Sequence, residues 1–407
     1  MRKILAVIIL LLSIFFIIQS SIGNSFSILQ QFKYAIPIKL KTWLKDYIFV
    51  HKSYKLLKEE NIRLKENIQK FEFDTNLQRK KAFYLSNSDE FFKKSLIKAE
   101  NNVNLNYKNI REDIIDNFIL PKNLIKISNN GREIPKGYWI NKPSGDYTVY
   151  KLIYYNMSHY GILEKKNGNK KLIVYNQGHN NNPYNHQYFI DLKNFYKNNG
   201  YDILSLSMTN LGYNLNTSNK QEKINFPGLI EPIIHLSHYD YEKFYDPNFP
   251  NINGLALMLS GNYYLIKEII KNYEDIAMVG ISGGGWYTVL LSSIITEINK
   301  SYSFSGTFPF LLRMFGSFGD WEQIDSKIYE KYSYLDFYFL NVIDDKGNFS
   351  RNHSEIYARR DKDFNDPAAS LFKKFKDEVS LNKNLNIHLL DSDKHEIDVE
   401  YLKTLLK

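Results

Sequence analysis

The sequence predicts an α/β fold, a mostly parallel sheet flanked by helices. After residue 130, short apolar runs alternate with segments of helical periodicity. One of those runs, Asp275-Ile-Ala-Met-Val-Gly, passes straight into Gly280-Ile-Ser-Gly-Gly at the mouth of a helical segment. The fold begins where the texture changes near Ser128: Asn129-Asn-Gly-Arg, Pro135-Lys-Gly and Pro143-Ser-Gly bring a succession of turn formers. With 407 residues, 43% of them hydrophobic and 24% charged, the chain has room for two or three domains or one large domain with appendages.

The first element is a targeting segment over residues 1–23. Arg2 and Lys3 precede an apolar run from Ile4 to Ile18 broken only by Ser13. As a helix that run spans about 22 Å, short of the roughly 30 Å hydrocarbon core, which favours a signal peptide. No A-x-A cleavage site follows, and the weakly polar stretch Ser20–Leu29 could lengthen the span, so an uncleaved signal anchor stays open. Both readings export the rest of the chain. The protein is then membrane-anchored through residues 4–18 and faces the periplasm or cell exterior, or it is secreted. Residues 24–130 read as a helical extension. Leu57, Leu64, Ile68 and Phe71 share one helical face with Lys and Glu opposite, in too few heptads for a coiled coil. A stalk or a cap on the next domain is expected there, without chemistry.

Residues 131–407 form the third unit. Tyr147–Tyr155 and His159–Glu164 read as an antiparallel strand pair, Lys171–Asn176 and Asp202–Leu206 as short buried strands, and Asn182–Asn198 between them as a helix. Residues 207–251 are irregular, rich in aromatics and carry Pro227, Pro232, Pro247 and Pro250, as a lid or pocket wall would. Leu255–Asn272 is helical, Asp275–Gly280 a strand and Tyr287–Ile298 a helix. Ser301–Ser305, Asp336–Val342, Glu355–Ala358 and Leu385–Leu390 complete the expected strands, and a helix closes the chain.

The chain contains no cysteine, which removes disulfides, thiolate metal sites and a thiol nucleophile. Ser282 is the alternative. It sits in G-x-S-x-G between strand and helix, where glycines allow the sharp turn that pushes a hydroxyl out of the sheet edge. A phosphate-binding loop would need a Lys-Ser/Thr ending that is missing. A serine needs a base and an acid to orient it, and on a strand–elbow–helix scaffold the expected chain order is Ser, acid, His. Of the histidines that follow Ser282, His388 lies within an apolar strand and His353 precedes one. His395 follows the last strand, in Asp391-Ser-Asp-Lys-His-Glu-Ile, and is the candidate base. Asp361 is the preferred acid, with Asp363 and Asp344 as alternatives. The backbone N–H groups of Gly283 and of His179, in Asn176-Gln-Gly-His, are the expected oxyanion-hole donors. Gly319-Asp-Trp is expected in the pocket wall.

These residues resemble the α/β-hydrolase superfamily. The likeness covers about residues 135–407: the elbow Gly280-Ile-Ser-Gly-Gly-Gly-Trp, the Gln177-Gly-His loop, Gly200-Tyr-Asp-Ile-Leu-Ser-Leu-Ser, and the late acid and histidine. It implies an eight-stranded, mostly parallel sheet and a triad that hydrolyses esters or amides, nearer the esterase and peptidase-like branches than the lipases. Gln177 departs from the pattern, standing where many members carry the His of a His-Gly pair. Nothing in residues 24–130 resembles the family.

The expectation is an exported serine hydrolase cleaving a small-molecule or glycan-linked acyl ester, with no cofactor and no metal. A serine peptidase of the same fold and a non-catalytic envelope protein are the alternatives. His235, His238 and Asp240 offer two imidazoles and a carboxylate, but no fourth ligand for a metal is identified. Nucleic acid is not an expected partner, because the 53 Lys and Arg against 44 Asp and Glu are scattered rather than patched.

Overall fold

The computed structural model describes residues 90–405 except 156, 167–169, 180–181, 215–252, 314–318, 362, 365–367 and 380–381. All of them belong to one compact unit, Lys80–Lys407. The apolar run 4–18, most of segment 207–251, and the set His235, His238 and Asp240 lie outside the described residues. Among the described residues no helix is long and apolar enough to cross a membrane.

Nine strands make one sheet: β1 (Lys126–Asn129), β2 (Asp146–Tyr154), β3 (Met157–Lys165), β4 (Lys171–Asn176), β5 (Asp202–Leu206), β6 (Asp275–Ile281), β7 (Lys300–Phe304), β8 (Asn352–Ala358) and β9 (Leu385–Leu390). Their order across the sheet is β1-β2-β3-β5-β4-β6-β7-β8-β9. The β1–β2, β2–β3 and β3–β5 pairs are antiparallel. The β4–β5, β4–β6, β6–β7, β7–β8 and β8–β9 pairs are parallel. The sheet is therefore mixed, with its parallel part around β4 and β6.

Both faces are buried, and the strands show why. Along β6, Ile276 and Met278 enter one core while Ala277, Val279 and Ile281 enter the other. The described helices of seven residues or more are α1 (residues 90–118), α2 (Gln187–Asn198), α3 (Gly254–Ile269), α4 (Gly283–Ile294), α5 (Tyr334–Leu340), α6 (Ala368–Val379) and α7 (Val399–Leu405). Residues of α2 and α7 pack in the second core, and residues of α1, α3, α4, α5 and α6 in the first.

Three expectations need correction. The sheet has nine strands among the described residues rather than eight, because Lys126–Asn129 pairs with β2 at the edge. The helical pattern expected up to residue 130 ends at 118, where Pro121 precedes the short turn Lys122–Leu124 that leads into β1. The expected strand Asp336–Val342 lies in helix α5 and the turn after it. Ser333 caps that helix reciprocally, its hydroxyl taking the Asp336 N–H while the Asp336 carboxylate takes the Ser333 N–H. Every residue of α5 is buried, so no polar face marks its period.

Candidate active site

The parallel register aligns the strand ends. Asn176 pairs with Gly280, Ile281 with Phe304, Phe304 with Ile356 and Ala358 with Leu390. The segments that leave these ends, 177–179, Ser282, Ser305, 359–361 and 391–395, therefore emerge along one edge. In open α/β sheets, ligands bind at this carboxyl edge.

Ser282 leaves β6 at φ 56° and ψ −128°, a backbone conformation that a residue with a side chain rarely adopts. Two hydrogen bonds hold it there: its N–H donates to Phe304 O at 2.9 Å, and Trp286 N–H donates to its carbonyl at 3.0 Å to open α4. The turn requires the flanking glycines. A Cβ at Gly280 would stand 2.1 Å from Gly284 O, and one at Gly284 would stand 2.1 Å from Asn176 O. This is the strained strand-to-helix turn that G-x-S-x-G demands.

His395, in the loop after β9, and Asp361, in the loop after β8, are joined by a 2.6 Å bond between Nδ1 and Oδ2. Asp361 is 1% exposed and accepts three further bonds: from Ser305 Oγ at 2.8 Å, Asp363 N–H at 2.9 Å and Phe364 N–H at 3.3 Å. Burial alone would raise its pKa, but the His395 bond and these donors outweigh it and hold the carboxyl below its ordinary range. Phe364 stacks on the His395 ring at 6.2 Å. With Nδ1–H donated to Asp361, Nε2 is the acceptor nitrogen.

The other candidates serve elsewhere. Asp363 contributes its backbone N–H to Asp361. Asp344 follows a helix rather than a strand, so the strand-end reasoning for it fails. Its carboxylate accepts the N–H groups of Lys346 and Asn348 and the Ser350 hydroxyl, closing its own loop. His353 is buried between Ser301 and Glu355, and burial, with Arg351 nearby, lowers its pKa to about 3. His388 bonds Ser354 and Tyr401.

The 177–179 loop lies against the elbow. A Cβ at Gly178 would stand 2.6 Å from Ile281 O, 2.9 Å from Ser282 Cβ and 3.2 Å from Gly283 N, so only glycine permits this approach. The His179 ring and Met208 Sδ flank Gly283, where an added Cβ would lie 2.7 Å from His179 Cε1 and 2.6 Å from Met208 Sδ. Gln177 anchors the loop from behind: its Oε1 accepts from Tyr175 OH at 2.6 Å and its Nε2 donates to Tyr188 OH at 3.1 Å. Asn176 donates to Thr288 on α4 and accepts from Asn262 on α3.

Sequence reasoning missed Glu322, Met208 and Ser305. Of these, only Glu322 had a signal nearby, in Gly319-Asp-Trp. His179 Nε2 lies 3.2 Å from Asp320 Oδ2 and 3.1 Å from Glu322 Oε1. The donor atoms of His179, Asp320 and Glu322 fall within 4.8 Å of one another, so this trio could hold a metal ion. Ion pairing of the two carboxylates with the imidazole at Nε2 accounts for the same distances without one. A cleft of about 910 Å³ opens beside His395, lined among others by Tyr188, Ser305, Ile356 and Lys394. Neither Ser282 nor His179 is among its lining residues.

This architecture is the one that resemblance to the α/β-hydrolase superfamily implies, apart from the ninth strand. No family profile matches the chain, and no curated protein matches it. Among solved structures the chain is similar to acetyl xylan esterase 1 from Thermoanaerobacterium sp. (11% identity, 74% of this chain and 92% of that one, TM-score 0.42). It is also similar to an esterase of Pyrococcus furiosus (16%, 68% and 96%, TM-score 0.42). A third is a carbohydrate esterase family 15 glucuronoyl esterase from Caldicellulosiruptor kristjansonii (11%, 74% and 82%, TM-score 0.42).

Proposed function

We propose that the protein is an exported serine hydrolase that cleaves an acyl ester, small or glycan-linked, through an acyl-enzyme intermediate. Ser282 Oγ attacks the acyl carbonyl carbon while His395 Nε2 takes its proton. Asp361 holds His395 in the required tautomer and stabilises the imidazolium that forms. The N–H groups of Gly283 and His179 receive the oxyanion of the tetrahedral intermediate. His395 then passes the proton to the leaving alkoxide, and water, activated by the same imidazole, releases the acyl group.

The observation that carries this reading is the bond between His395 and buried Asp361, at the sheet edge where Ser282 leaves β6. Export is inferred from the apolar run 4–18 behind Arg2 and Lys3. A membrane-impermeant fluorophosphonate applied to intact cells making the full chain tests both. Labelling that disappears in Ser282→Ala is expected. Labelling only after lysis would reject export. No labelling of the folded protein, or labelling that survives Ser282→Ala, would reject the mechanism.

A further inference from the structure

We infer that Glu322, assisted by Asp320, is a positioning residue that holds the His179 ring beside Gly283 and so fixes the His179 backbone N–H as the second oxyanion donor. The inference rests on the hydrolase reading above and deepens it. An oxyanion donor works only if its position is set before the reaction, since reorganisation at that moment costs rate. Gly178 leaves the loop without a side chain of its own to lean on, so the ring of the next residue is its handle on this side of the elbow.

The handle is gripped from a rigid segment. Glu322 is wholly buried and Asp320 is 37% exposed, and both carboxylates meet the same ring nitrogen. Gly319, at φ 89°, begins the turn that presents them. A Cβ there would stand 2.2 Å from Gln323 Oε1 and 2.3 Å from Arg313 Nη1. Gln323 is tied on three sides: its Oε1 accepts from Arg313 Nη2 at 3.0 Å, its Nε2 donates to Gly306 O at 3.2 Å, and its carbonyl accepts from Tyr334 OH at 2.9 Å. The Arg313 guanidinium lies over the Tyr334 ring at 5.3 Å. Turn, arginine and the N-terminus of α5 thus fix the carboxylates, and the carboxylates fix the ring.

The grip depends on charge. Glu322 and Asp320 are the charged groups that face His179, with Arg313 standing behind them beside Gln323. Burial alone would lower the His179 pKa, but the two carboxylates outweigh it and keep the imidazolium to higher pH than usual.

Initial rates of p-nitrophenyl acetate hydrolysis across pH, with thermal melting, test the inference on the full chain. Glu322→Ala should lower kcat about tenfold or more, with KM within about threefold. Glu322→Gln keeps an acceptor in the same place, so it should recover most of kcat. If Glu322→Ala does not fold, Asp320→Ala, at the partly exposed carboxylate, is read for the same fall in kcat with KM unchanged. An unchanged kcat in every folded Ala variant would overturn the inference. So would a wild-type activity that a chelator abolishes and Zn²⁺ restores, because the trio would then be holding a cation. Wild-type protein with neither labelling nor turnover fails the hydrolase reading itself. Active wild-type protein with indifferent variants fails only the inference.

Discussion

At the scale of single residues, the proposed base depends on one carboxylate that is fully engaged. Asp361 Oδ2 receives both His395 Nδ1 and Ser305 Oγ, and Oδ1 receives two backbone N–H groups. Asp361→Asn preserves size but cannot present four acceptor sites, and its amide group would face donors or turn His395 to the wrong tautomer. We expect kcat to fall by about three to four orders of magnitude with little change in KM. Steady-state hydrolysis of p-nitrophenyl acetate beside a thermal melt checks this: a variant of normal stability and normal kcat would remove Asp361 from the mechanism. Ser282 was legible in the sequence because the chemistry of its turn is local, with glycines and a strand in adjacent positions. The pairing of Asp361 with His395 was legible because chain order narrows the choice to a few loops. Glu322 was not, because nothing near it in sequence announces His179; only the fold brings the two together.

At the scale of elements, the sheet was readable wherever one side chain in two pointed to each core, as in β4 and β6. Helix α5 was not readable. Tyr334-Leu-Asp-Phe-Tyr-Phe-Leu has the aromatic content of a strand and no exposed face to reveal a period of 3.6. What decides the element is its first turn, where Ser333 and Asp336 satisfy each other's backbone groups and an acid stands at the positive end of the helix. Ser333→Ala should therefore lower unfolding free energy by about 1 kcal/mol in urea titrations. A change near zero would mean that packing alone selects helix over strand here. The element also matters to the site, since Tyr334 at its first turn carries the Gln323 carbonyl behind Glu322.

At the scale of the whole described unit, α1 is bound to the sheet domain by more than apolar contact. Phe92, Leu96, Val103, Ile110 and Ile114 enter the same core as α3 and α4. Between them Arg111, 6% exposed, donates to the carbonyls of Ser293, Leu340, Ile343 and Asp344. Ser293 lies in the last turn of α4 and Leu340 ends α5, where a helix leaves acceptors without intrahelical donors and carries partial negative charge, and Ile343 and Asp344 follow in the chain just after α5. Arg351 does the same from the other side, reaching Ser292, Ile295, Ile298, Leu340 and Ile343. Two buried guanidiniums thus close the far end of the helix that starts at Ser282. Burial lowers the pKa of Arg111 to about 10 and that of Arg351 to about 9, so both stay charged at neutral pH. Arg111→Met keeps the stem but strands several buried acceptors, and should cost on the order of 3 kcal/mol. Because the damage falls at the end of α4 away from the elbow, Tm should fall while the folded fraction keeps its kcat. A melt unchanged by Arg111→Met would mean that water or Arg351 satisfies those carbonyls, and α1 would then be held by its apolar face alone.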